Sequence, residues 1–142
     1  MIVVDTKILA YLLLPTPRTD EAESLYRRDP HWCAPQLWRS EFRNVLLTCL
    51  RKELLDLNAA LRIQDRAEQL LAGREFSVRS TRVLPLAATS GCSAYDCEFV
   101  AVAEALQVPL FTADKRVLKA FPRIARALNA DPEAPPGDAT TH

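Results

Sequence analysis

Four acidic residues stand where the hydrophobic pattern of the chain does not call for them. Asp5 closes the apolar run IVV (2–4), and Asp114 follows PLFTA, so each falls at the carboxyl end of an expected strand. Glu41 lies four residues after Leu37 and four before Val45, and Asp96 precedes Phe99, Val100 and Ala103 at helical spacing. Both therefore sit on the apolar face of an expected helix, close to its start. Each acid alone has an ordinary explanation: a turn former or cap at a strand end, a first-turn partner of the helix dipole for Asp96, a partner of Arg39 or Arg43 for Glu41. Two strand-end acids together with two inward helical acids point instead to one cleft. Carboxylates crowded in a cleft repel, so that some take up a proton or a cation neutralises them. An oxygen-only donor set without His or Cys suits Mg2+ or Mn2+ rather than zinc. Such an ion activates water and steadies a phosphoryl oxygen, and a pair of them steadies both the attacking and the leaving oxygen. The chemistry best served is metal-dependent hydrolysis of a phosphodiester.

The elements that must position these acids can be read from the spacing. IVV is a short buried strand, and TKILAYLLL a helix stopped by Pro15 and Pro17. TDEAESLYRR (19–28), with Thr19 as cap, acids early and arginines late, predicts a helix; HWCAP (31–35) predicts a second strand. Residues 36–52 carry apolar side chains at three- and four-residue intervals, and Asp56 caps a helix to about Leu71 before Gly73. RVLPLAA (82–88) resembles an edge strand because of Pro85. Ser93 caps a helix to about Gln107, VPLFTAD (108–114) is a strand, and KRVLKAF adds a helical turn or two; RIARAL (123–128) fits strand or helix equally. Alternating strands and helices imply βα units and a mostly parallel sheet, whose sites lie beyond the carboxyl ends of the strands. The expected organisation is one α/β domain over 1–129 and a Pro-rich tail over 130–142.

The chain has 142 residues, nearly half of them hydrophobic, which suffices for one domain with a proper core. Its 18 basic and 18 acidic residues balance, which argues against a strongly basic nucleic-acid clamp held by phosphate neutralisation. No apolar stretch is long enough for a membrane span, and no charged leader or cleavage site precedes the first strand, so a cytoplasmic location is expected. Cys33, Cys49, Cys92 and Cys97 form no CxxC pair, and with so little His they read as reduced core thiols.

The segments VVDTKILAYLL, APQLWRSEFRNVL, SGCSAYDCEFVAVAE and PLFTADKRVL, in this order and each carrying one of the four acids, resemble the PIN-domain nucleases, and among them the VapC-type toxins of bacterial toxin–antitoxin pairs. The likeness covers about residues 1–122. It implies a three-layer α/β/α fold and a metal-dependent ribonuclease whose acidic site is Asp5, Glu41, Asp96 and Asp114. It further implies Mg2+ or Mn2+ as cofactor, an RNA substrate, a cognate antitoxin and a homodimer. Thr112 matches a hydroxyl residue that buttresses the site, and Asn44 a polar residue on the helix of the glutamate.

Lys7 departs from that pattern, because Asn or Ser usually follows the DT pair. An ammonium ~4 Å from a carboxylate would be held by about 4 kcal/mol at an effective dielectric of ~20 before desolvation, and would compete with a metal. Three readings follow: Lys7 takes the cation's place and leaves a binding scaffold without activity, it reaches out to solvent, or it meets a substrate phosphate. A phosphatase or receiver-like site fits less well, since the first would need an acid at position 7. Arg39, Arg43, Lys115 and Arg116 flank the motifs and could steer an RNA backbone, or be ordinary solvated charges.

Overall fold

Ile2, Val3 and Val4 are almost wholly buried and form β1 (Ile2–Val4), the middle strand of a parallel sheet. The computed structural model describes residues 1–130, so the expected Pro-rich tail lies, apart from Ala130, outside the described residues. Along the chain follow α1 (Thr6–Leu13), α2 (Thr19–Arg28), β2 (Trp32–Pro35), α3 (Trp38–Arg51), α4 (Leu57–Leu70) and β3 (Glu75–Phe76). Then come α5 (Ser80–Ser90), α6 (Ala94–Leu106), β4 (Leu110–Thr112), α7 (Lys115–Ala120) and β5 (Ala125–Ala127). The sheet order is β3-β2-β1-β4-β5 and every pairing is parallel. Seven helices among the described residues flank it, giving the α/β architecture the spacing implied.

The burial of the strands follows their place in the sheet. β1 and β2 are apolar along their whole length, β4 is apolar up to Thr112, and all three are buried throughout, as a parallel sheet covered by helices requires. The edge strands β3 and β5 are only partly buried. Helix α6 contributes a continuous buried run from Phe99 to Ala103 and packs on β1, β2 and β4. Trp32, Trp38, Phe42 and Phe111 are the largest fully buried side chains. The outer edge is tied by Arg39, whose guanidinium reaches Glu75 at 2.6 and 2.8 Å and Glu68 at 3.0 Å, while Trp38 Nε1 donates to the same Glu75 at 2.7 Å.

Several local expectations are corrected. Residues 82–88 are not a strand but the middle of α5, with Pro85 inside the helix. The buried and half-buried positions Val83, Leu86 and Ala87 recur at helical intervals, and packing on α6 holds the helix despite the missing amide. Gly91 closes it in the left-handed region at φ 75°. Thr19 is the first helical residue of α2 rather than its cap; its hydroxyl donates to the Leu14 carbonyl and accepts from the Thr16 amide. The ambiguous 123–128 segment contains β5, and the two-residue β3 carried no readable pattern.

Candidate active site

The sheet order reverses at β1: the chain moves outward through β2 and β3, then returns to add β4 on the other side. The carboxyl ends of β1 and β4 therefore flank the switch point, where a parallel sheet opens a crevice. Asp5 immediately follows β1, and Asp114 stands two residues past β4. α3, which carries Glu41 in its first turn, starts just after β2, and Asp96 is in the first turn of α6. A cleft of about 100 Å³ is lined by Asp5, Glu41, Asp96 and Asp114, together with Thr6, Lys7 and Thr112, and walled by Phe99, Leu110 and Val117.

The ordinary and the chemical explanations of these acids hold together. Asp5 caps α1 by accepting from the Ile8 amide at 3.0 Å through Oδ1. Its Oδ2 accepts from Thr112 Oγ1 at 2.5 Å and from the Ala113 amide at 3.2 Å. Asp114 caps α7, accepting from the Arg116 amide at 2.8 Å and the Val117 amide at 3.4 Å. Thr112 links the two, because its hydroxyl also accepts from the Asp114 amide at 3.0 Å. Glu41 Oε1 accepts from Thr6 Oγ1 at 2.7 Å. Asp96 receives no hydrogen bond at its carboxylate from the described residues; its amide is bound by the Ser93 cap at 3.0 Å.

Uncompensated negative charge marks the cleft. Burial pushes the Asp5 carboxyl up, against the opposing hydrogen bonds of Thr112, Ile8 and Ala113 and a weak pull from Lys7. Glu41 is likewise pushed up, first by burial and then by the charges of Asp96, Asp5 and Glu98, with the Thr6 hydrogen bond acting the other way. The donor chemistry fits a divalent cation bound through oxygen. The spacing is looser: among the described residues no three acidic, histidine or cysteine side chains are gathered closely enough to hold a metal. Asp5, Glu41 and Asp114 are each turned toward hydroxyl or amide donors, so they would have to close on an ion.

Asn44 is exposed on α3 and does not line the cleft. Lys7 lines it but is exposed, and forms no ion pair with any of the four acids. The close ammonium–carboxylate contact considered from the sequence is thus not made. Arg39 is committed to Glu75 and Glu68, whereas Arg43, Lys115 and Arg116 are exposed. Thr6 escaped sequence reading, although a signal existed: it is a hydroxyl beside a strand-end acid. Thr6 and Thr112 are the two buried polar residues among those described, and each binds one of the acids. Glu98, half-buried on α6, was also missed and adds like charge near Glu41.

A family model described as PIN domain matches residues 2–127. The chain belongs to the PIN domain family. Members are in general metal-dependent nucleases. Among solved structures, this PIN domain is similar to PAE2754 from Pyrobaculum aerophilum, with a TM-score of 0.69 and 22% identity over 89% of this chain and 90% of that one. At that identity the likeness speaks for the fold. Comparison with curated proteins finds no match. No helix among the described residues is long and apolar enough to cross a membrane.

Proposed function

We propose that this PIN domain is an endoribonuclease that hydrolyses RNA phosphodiester bonds with Mg2+ or Mn2+, and that it is the toxin of a type II toxin–antitoxin pair in the cytoplasm. The observation that carries the nuclease reading is the convergence of Asp5, Glu41, Asp96 and Asp114 on one cleft at the switch point of the sheet. When bound, the ion supplies a more acidic water and charge stabilisation at the phosphoryl oxygens. Asp5, Glu41, Asp96 and Asp114 would hold it. Thr112 and Thr6 keep the carboxylates of Asp5 and Glu41 aimed, and the apolar walls of Phe99, Leu110 and Val117 limit water around them. The toxin role, a cognate antitoxin and a homodimer rest on the resemblance of the four motif segments to VapC-type proteins.

The scaffold reading, in which Lys7 stands in for the cation, draws on the loose spacing of the acids. The exposed position of Lys7, without an ion pair to any of them, weighs against it. Purified protein is expected to cleave structured RNA with Mg2+ or Mn2+, and Asp5→Ala to lower the rate at least a hundredfold. Cleavage that survives both Asp5→Ala and EDTA would sink the proposal.

A further inference from the structure

Among the described residues, Lys7 is the one cation that lines the acidic cleft. It occupies the second position of α1, in the first turn of a helix, where a positive charge opposes the helix dipole and is mildly unfavourable. Local helix stability therefore does not account for it. Nor does charge pairing, since it makes no ion pair with Asp5, Glu41, Asp96 or Asp114, and its pull on Asp5 is the weakest of the influences on that carboxyl. Lys7 lines the cleft and is exposed.

The charge of the lining restricts what that ammonium can meet. Four of the ten described residues lining the cleft are carboxylates, a setting that takes a cation rather than a second anion. A nucleic-acid strand presents phosphate oxygens along its whole length. Such a strand meets a cleft of four carboxylates, whose field repels it, and Lys7 is the lining group that offers the opposite sign.

Resting on the nuclease reading above, we infer that Lys7 is a substrate-binding residue that contacts a backbone phosphate of single-stranded RNA beside the acidic cleft. A compact ammonium binds phosphate as a point charge, so the contact fixes the position of the strand and carries no sequence information. Neighbouring exposed cations on α7, Lys115 and Arg116, would lie outside the cleft and follow the strand less closely.

The test compares the full chain with Lys7→Met and Lys7→Arg in equilibrium binding of short labelled single-stranded RNAs of different sequence, with Ca2+ present, over a range of salt. Mg2+ affinity of the same proteins is measured separately by calorimetry without RNA. Lys7→Met is expected to bind every RNA about fivefold more weakly near 0.1 M salt, and to lower the slope of log affinity against log salt by about 0.7, one phosphate of a single strand. Lys7→Arg keeps both affinity and slope, and Mg2+ affinity in Lys7→Met changes by less than about threefold. Unchanged RNA affinity and slope in Lys7→Met overturn the inference. So does Mg2+ affinity that rises tenfold or more in Lys7→Met, which would make Lys7 the stand-in for the cation. If the unmodified protein binds neither RNA nor Mg2+, the nuclease reading falls and takes this inference with it; loss of the Lys7 effect alone leaves that reading intact.

Discussion

Replacing Glu41 by Gln separates a carboxylate kept for chemistry from one kept for structure. Glu41 holds one hydrogen bond, from Thr6 Oγ1 at 2.7 Å, and a Gln carbonyl oxygen accepts it equally well. What changes is the charge. The folded protein holds the Glu41 carboxylate partly buried and near Asp96, Asp5 and Glu98, which raises its pKa. A folded pKa above the unfolded one means that the ionised group opposes folding at neutral pH, and that this opposition fades as pH falls through the folded pKa toward the ordinary glutamate range. Neutralising a strained functional position commonly adds about 0.5–2 kcal/mol. At about 3 °C per kcal/mol for a chain of this size, Glu41→Gln should melt about 2–6 °C higher than the native chain at pH 7 in EDTA. The advantage should shrink steadily in acid. Saturating Mg2+ should reverse the order, because a ligand at a hundred times its Kd adds about 2.7 kcal/mol to the protein that binds it, and the variant binds it poorly. Melting curves at several pH values, with EDTA and with Mg2+, read all three effects. A variant less stable than the native chain in EDTA at pH 7, or an advantage unchanged down to acid pH, would refute the view that the Glu41 carboxylate is held against burial and like charge.

Two further outcomes probe the supports of the site and of the sheet edge. Thr112→Val removes the hydroxyl that Asp5 Oδ2 accepts from and that the Asp114 amide donates to; about 2 kcal/mol should be lost in urea denaturation, the Asp5 carboxyl should rise further, and Thr112→Ser should restore both. Arg39→Met removes the paired hydrogen bonds to Glu75, whose pKa Arg39 lowers; because Arg39 is partly exposed the loss should be about 1 kcal/mol at pH 7. That contribution exists above the ordinary glutamate pKa and disappears as pH falls through the lowered folded value, so the difference from the native chain should vanish in strong acid.

The central strands were legible because they are buried on both faces and so are short apolar runs: IVV at β1, and LFT at β4, where only Thr112 is polar. Helix starts were legible where a side chain caps the amides, as Asp56 does for α4 and Ser93 for α6. α5 was misread because its signals conflict. Pro85 speaks against a helix interior, and only packing against α6 outweighs that local cost. β3 has two residues, too few for any period, and exists because β2 offers a neighbouring edge.

By itself the sequence placed Asp5 and Asp114 at the ends of apolar strands and Glu41 and Asp96 on the apolar faces of helices near their starts, and so pointed to one region for all four. Alternation of strand and helix in a parallel sheet brings strand ends and helix starts to the same edge, whatever the strand order. The tertiary structure alone decided how those acids are held: that Thr112 joins Asp5 to Asp114, that Thr6 holds Glu41, and that Asn44 faces solvent away from the cleft. It also decided where Lys7 stands. Sequence spacing sets the face of a helix to within a fraction of a turn, but a lysine side chain is long enough to reach either an acid or the solvent from the same backbone position. The tertiary structure shows Lys7 lining the cleft, exposed, and without an ion pair to the four carboxylates.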